Sequence, residues 1–377
     1  MKVSIITRHA IANYGSLLQS LATEKLFQKL GFETEIINYI PNDEKIDNLV
    51  DSYIENSKFW NKNFFVRKMY KVLQYKNIYK MNIRFNEYQK RYLNLSKYEY
   101  NSIEELKANK PIADIYCTGS DQDWGAIGCK NYDEAYFLSF LDKDDKAISY
   151  AASFGKDVIC SELKQNLFYL TSKYLKILVR EDSAVKILND CGIKNARQVL
   201  DPTLLTNQED WNNICLNKRL IPEDYILIYQ LHHNKKLDKY AKKLSKKTGK
   251  KLIRINTSKY FKYKVGEFVY LPSLTQFLSY IKFADIVLTD SFHGTCFSII
   301  YNKNFIDILP SVTGTRISSI LKLFDLENRI TTGDDYDLAY KSINYDEVNK
   351  KLFLEQQNSI SALKNALEGC GVKNERK

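Results

Sequence analysis

The sequence predicts an α/β protein made of two Rossmann-like domains facing a cleft. Three observations carry that expectation. The chain has 377 residues, more than a single hydrophobic core usually organises. Short β-branched and aliphatic runs alternate with amphipathic stretches, as in parallel sheets with helical crossovers. The chain holds only six prolines, and no low-complexity linker or internal repeat breaks the alternation.

In the first half, strands are expected at residues 2–7, 33–39, 114–118, 146–151, 176–179 and 198–200. An amphipathic helix from about Ser16 to Leu30 separates the first two, and Gly31 closes it, since glycine turns left-handed without a Cβ penalty. In the second half, strands are expected at 225–231, 251–255, 285–288 and 304–308, with helices between them. The break falls near Asp201 to Trp211, where Asp201-Pro202 stops a strand. This divides the chain into an N-terminal domain (1–205), a C-terminal domain (206–344) and a C-terminal helix and tail (345–377).

Hydrophobic residues make up 44% and charged residues 27%, ordinary values for a globular protein. No run approaches the roughly 20 apolar residues of a bilayer-spanning helix. Met1-Lys2 leads straight into the strand-like Val3-Ser4-Ile5-Ile6-Thr7, unlike a signal peptide, so a cytoplasmic location is expected. Seven cysteines without metal-ligand spacing read as reduced packing residues. With only four histidines, neither a metal nor another cofactor is expected.

The net charge of +11 suits an anionic partner. From Lys58 to Arg91 the chain carries ten Lys/Arg against one acid, Glu87, with Trp60, Phe64, Phe65, Tyr70, Tyr75, Tyr79 and Phe85 interleaved. Two readings stand: basic amphipathic helices touching the inner membrane face, where a lipid-linked acceptor would reside, or a solvated helical face with ordinary core aromatics. No nucleic-acid module accompanies the basicity, so RNA or DNA is not an expected partner.

Chemistry in such folds sits where strand carboxyl ends meet helix amino ends. Four loops there are rich in polar groups. In Asn13-Tyr14-Gly15-Ser16, Gly15 permits close backbone approach, and Ser16 either caps the helix or leaves its amides for an anion. Thr118 to Trp124 crowds Ser120, Asp121 and Gln122 beside an aromatic, a set that suits a sugar and makes Asp121 a candidate base, with an Asx-turn as the alternative. In Val179 to Ser183, Arg180 either meets a ligand or pairs with a neighbouring carboxylate. The fourth loop, Thr289 to Thr295, places His293 where the amides of Gly294, Thr295 and Cys296 would hold phosphate or carboxylate. Arg316, in Gly314 to Ser318, offers a bidentate clamp for such an anion, or is a surface arginine.

Six segments then form an ordered set: Asn13-Tyr14-Gly15 with Leu18-Gln19; Gly119-Ser120-Asp121-Gln122 with Trp124; Ile148 to Gly155; Val179 to Ser183; Val199 to Leu205; and Asp290-Ser291-Phe292-His293-Gly294. This set resembles the polysaccharide pyruvyl transferase family over about residues 3–330. The resemblance implies a fold similar to the GT-B glycosyltransferases, and transfer of the enolpyruvyl unit of phosphoenolpyruvate to two hydroxyls of a surface or exopolysaccharide precursor sugar. On that basis His293 and Asp121 are the expected catalytic acid and base. Ser291, Gly294, Thr295 and Arg316 are expected at the donor, and Asn13, Tyr14, Ser120, Gln122 and Arg180 at the acceptor. A nucleotide-sugar-dependent glycosyltransferase and a non-catalytic polysaccharide-pathway binding protein are the alternatives.

Overall fold

The structure is a computed structural model. It describes every residue except 56, 58, 127–131, 311–313 and 373–377, and leaves the side chains of residues 46, 47, 52 and 53 undescribed. Cys129 and Lys58, used in the sequence reading, lie outside the described residues. The chain divides into two compact units, one of residues 1–202 joined by the chain from Gln357 onward, the other of Thr203–Gln356.

The first unit is built on β1 (Lys2–Ile6), α1 (Tyr14–Lys29), β2 (Glu33–Tyr39), α2 (Ile46–Glu55), α3 (Phe64–Tyr92), β3 (Leu95–Tyr100), α4 (Ile103–Ala108), β4 (Ile115–Thr118), β5 (Ala147–Ala152), α5 (Ser161–Thr171), β6 (Tyr174–Val179), α6 (Asp182–Asp190) and β7 (Ala196–Gln198). Its seven strands are ordered β3-β2-β1-β4-β5-β6-β7, and every pairing is parallel. Helices cover both faces of such a sheet, so its central strands run apolar without alternation; β4 and β5 are buried at every residue. Gly31 is left-handed (φ 88°) just past α1, as its position after the apolar repeat implies.

The second unit contains α7 (Pro202–Leu205), which begins at the boundary, then α8 (Gln208–Ile214), β8 (Tyr225–Tyr229), α9 (Lys235–Thr248), β9 (Lys251–Asn256), β10 (Glu267–Tyr270), α10 (Leu274–Lys282), β11 (Ile286–Thr289), α11 (Phe292–Ile300), β12 (Asn304–Asp307) and α12 (Thr315–Leu323). Its five parallel strands run β10-β9-β8-β11-β12. Both sheets thus step outward in one direction from a central strand and then reverse, the doubly wound Rossmann order. The final helix, α13 (Tyr345–Gly369), starts in the second unit and finishes in the first, where the Ser359 hydroxyl accepts the Leu200 backbone N–H at 2.9 Å.

Ten of the twelve strands lie at the expected places within a residue or two. The two unexpected ones, β3 and β10, are sheet edges. β3 reads Leu-Ser-Lys-Tyr-Glu-Tyr and exposes Lys97, Tyr98 and Glu99, so it lacks the apolar run that marks a buried strand.

Candidate functional site

Each sheet reverses its winding between two neighbouring strands, β1 and β4 in the first, β8 and β11 in the second, and the loops at their carboxyl ends flank the crevice where such folds bind ligands. In the first unit the two loops are pressed together. The Thr7 hydroxyl donates to the Ser120 carbonyl at 2.5 Å, and a Cβ on Gly119 would lie 3.1 Å from Thr7 Cβ. Asp121 sits at φ 111°, a left-handed backbone that a non-glycine residue holds only when its surroundings impose it. Its carboxylate accepts the Ser16 hydroxyl at 2.6 Å and the Gln122 N–H at 2.7 Å. Below it, fully buried Asp123 accepts the Arg8 backbone N–H at 3.1 Å. Burial, and then the charge of Asp121, push the Asp123 carboxyl well above the usual range. Arg8 in turn pairs with Glu44.

A second charged group lies in the same unit. Arg180 bonds Asp201 at 2.9 Å and the Ser120 hydroxyl at 3.1 Å, and its guanidinium lies 3.8 Å from Glu181. Ser120 donates to the same Asp201 oxygen at 2.8 Å. Burial opposes the guanidinium charge, but Asp201 and Glu181 outweigh it and shift Arg180 upward. Glu181 also accepts the Ser153 hydroxyl at 2.7 Å and the Phe154 N–H at 3.2 Å, so the group ties the ends of β4, β5 and β6 together.

These contacts show what several of the expected site residues touch. Arg180 and Ser120 are committed to a buried ion network, which is the carboxylate-pairing alternative for Arg180. Tyr14 is fully buried with its ring 5.1 Å from that of Phe85, a core position. Trp124, expected to stack on a sugar, is also fully buried and stacks on Phe137 at 5.3 Å. Asn13 caps α1, its side chain accepting the Gly15 N–H at 2.7 Å, while Ser16 serves Asp121 and not the helix start. Asp121 and Gln122 stay in the loop after β4, with Gln122 laid over Gly155; a Cβ there would meet Gln122 Oε1 at 2.3 Å. Arg8, His9 and Asp123 were absent from the expected set; for the first two, a polar Arg-His pair just past an apolar strand was the visible signal.

In the second unit, Asp290 joins the two loops by accepting the Leu231 N–H at 2.7 Å and the His232 N–H at 3.0 Å. The His232 ring nitrogen Nδ1 lies 3.4 Å from the same carboxylate. Gln230 fixes its own loop by donating to the carbonyls of His232 and Asn234 at 2.8 and 3.2 Å, and it accepts from the fully buried Arg254. His293 occupies the second position of α11 and is 7% exposed. Arg316 stands with its guanidinium 5.8 Å above the Phe292 ring, whose centroid is 5.2 Å from that of His293. An imidazole and a guanidinium therefore flank one aromatic ring at a helix amino end, an arrangement suited to an anion and to proton donation.

The remaining donor expectations change role. The Ser291 hydroxyl caps α11 by accepting the Gly294 N–H at 3.3 Å, and the Thr295 N–H goes to the Ser291 carbonyl at 3.0 Å. Those two amides are therefore spent on the helix start. Thr295 is fully buried and donates to Asp307 at 2.9 Å. Gly294 is there for packing, because a Cβ would lie 2.4 Å from Thr289 Oγ1 and 3.1 Å from Tyr229 Cδ1. Asp290 and His232 were absent from the expected set, although Asp290 opens the motif that contains His293.

A sequence profile for polysaccharide pyruvyl transferases matches residues 13–310, a span that includes the Asp121 and His293 loops. The chain belongs to the polysaccharide pyruvyl transferase family. Membership places it among transferases of polysaccharide biosynthesis, and Arg316 lies beyond the matched span. Among curated proteins, none matches this family member in sequence. In fold it is similar to a UDP-N-acetylglucosamine 2-epimerase from Rickettsia bellii, at 12% identity and a TM-score of 0.54, covering 97% of this chain and 96% of that one. A co-structure of S. aureus MnaA with UDP is similar at 11% identity and a TM-score of 0.54, covering 100% and 99%. The glycosyltransferase SnogD from Streptomyces nogalater aligns at 8% identity and a TM-score of 0.43 over 98% of each chain. The fold is thus of the two-unit α/β kind seen in the first two of these structures.

Proposed function

We propose that this family member transfers a pyruvyl group from phosphoenolpyruvate to two hydroxyls of a saccharide of a surface or exopolysaccharide precursor. Family membership supports the reaction class, and the grouping of His293 and Arg316 around Phe292 carries the donor assignment. In the reaction, the methylene carbon of the donor takes a proton and becomes the methyl group. Carbon 2, left cationic, bonds to the first sugar oxygen; the carbon–oxygen bond to phosphate then breaks and the second sugar oxygen closes the ketal. The two hydroxyls release two protons, one balancing that taken by the methylene and the other leaving with phosphate.

His293 as imidazolium supplies the first proton, and Arg316 balances the donor's carboxylate or phosphate. On the first unit, Asp121 is assigned to receive an acceptor hydroxyl and Gln122 to orient it. The Ser16 hydroxyl and the Gln122 N–H, both donating to the Asp121 carboxylate, hold it in a fixed orientation for that role. No metal or cofactor has a place in this scheme.

The alternative donor is a nucleotide sugar, favoured by the UDP bound in the S. aureus MnaA co-structure. Thermal unfolding with phosphoenolpyruvate, and separately with UDP, GDP or CMP, separates the two. A ligand at about one hundred times its dissociation constant adds about 2.7 kcal/mol to the native state. Stabilisation by phosphoenolpyruvate alone, lost in His293→Ala, is the expected result. Stabilisation by a nucleotide alone overturns the donor assignment.

A further inference from the structure

The amino-terminal half of α3 presents apolar side chains outward. Phe64, Phe65, Met69, Val72, Leu73 and Tyr79 are all exposed, Phe65 at 80% and Val72 at 72%. With about 100° of rotation per residue, Phe65, Val72, Tyr79 and Ile83 fall along one line, opposite the buried row of Ile78, Met81 and Phe85. This is the reverse of the core-aromatic reading: among these rings, Phe85 enters the core, while Tyr70 packs at 4.9 Å on half-buried Trp60. An apolar row of this length on the surface of a folded unit marks an interaction site.

The same helix carries eight Lys/Arg against one acid, Glu87, and Lys68, Lys76 and Lys80 lie on the same half-turn as the apolar row. We propose that this face docks on an anionic lipid surface, with α3 lying in the plane of the interface. Its aromatic and aliphatic side chains would enter the boundary between headgroups and acyl chains, while the lysines meet lipid phosphates. A basic helix with an apolar face is the form that lies on such surfaces. Two further observations fit: α2 packs Val50 and Ile54 against Ile78 of α3, so the helix is braced from behind, and no helix among the described residues is long and apolar enough to cross a membrane.

The spacing 65, 69, 72, 76, 79, 83 also suits pairing with another helix. A second copy of this chain is disfavoured because it would bring two strongly basic faces together and place Lys76 in the seam. Charge complementarity therefore selects the lipid. The inference does not depend on the donor or the reaction.

Co-sedimentation of the full chain with vesicles of phosphatidylcholine, with and without phosphatidylglycerol, tests it. Binding is expected only with phosphatidylglycerol and should weaken as salt is raised. Phe65→Ser/Val72→Ser and Lys68→Glu/Lys76→Glu should each weaken it about tenfold or more, with melting temperature and circular dichroism unchanged, because the replaced side chains are outside the core. Absence of binding, or binding that neither pair of substitutions alters, overturns the proposal. So does self-association in the ultracentrifuge that Phe65→Ser/Val72→Ser abolishes while vesicles remain unbound.

Discussion

Replacing Arg180 by methionine tests whether the buried charged group is structural or binds substrate. The substitution keeps much of the side-chain volume but leaves the Asp201 and Glu181 carboxylates without their cation in a site where all three side chains are at most 1% exposed. Removing one member of a buried ion pair costs about 3–5 kcal/mol, because the remaining charge has no solvent to replace the lost partner. For a folding unit of about 150–250 residues, each kcal/mol moves the melting temperature by about 2–4 °C, so a fall of about 6–20 °C is expected. Arg180→Met/Asp201→Asn should recover part of the loss, since the charge and its counter-charge leave together. Denaturant titration of both variants measures the cycle. A variant Arg180→Met that melts like the wild type while raising the KM for a saccharide acceptor would refute this reasoning and return Arg180 to the acceptor site.

Gly294→Ala should destabilise the second unit by about 1–3 kcal/mol, read by denaturant titration, because the new methyl overlaps Thr289 Oγ1 and presses on Tyr229. The fully buried His9 ring, with Nδ1 3.1 Å from the Thr7 carbonyl oxygen and Nε2 3.2 Å from Asn38 Oδ1, has its pKa lowered, chiefly by burial. Its stabilising contribution is therefore complete above the unfolded value of about 6.5 and is lost as pH falls through the lower folded value; subtracting the stability–pH profile of His9→Gln from that of the wild type should show this loss. Asp123 and Asp307, shifted upward by burial, contribute in the opposite sense: their share is present below the ordinary carboxylate range and declines as pH rises toward the raised values. Asp123→Asn should flatten that part of the profile. In a turnover assay with a saccharide acceptor, Asp121→Asn should lower kcat by about 10²–10⁴ if the residue serves as the base, and full turnover removes that role.

Central strands were legible in the sequence because burial on both faces forces continuous apolar runs, as in Tyr225-Ile226-Leu227-Ile228-Tyr229. The edge strands β3 and β10 were not, because a strand with one neighbour tolerates the polar residues that also mark loops. Loop position was equally legible: the Asp121 and His293 loops lie where strand ends and helix starts placed them. What polar groups do within a loop was harder to read. Ser120, Arg180 and Thr295 look like ligand-binding residues as letters, yet their partners lie 81, 21 and 12 residues away in the chain, and only folding brings Asp201 and Asp307 to them. Tyr14 and Trp124 show the same limit for aromatics, whose identity does not say whether they face a sugar or the core. The Phe64 to Ile83 face misled the other way, since aromatic residues at helical spacing ordinarily turn inward.

The path of α13 has a consequence for how the molecule is made. A ribosome delivers residues 1–202 well before the segment from Gln357, in which the Ser359 hydroxyl accepts the N–H of Leu200. The first unit is therefore completed only after the whole second unit has been synthesised. A fragment ending at Pro202 would lack a piece of its own fold, whereas supplying the segment from Gln357 in trans, or moving it ahead of Met1 by circular permutation, is the way to obtain that unit alone.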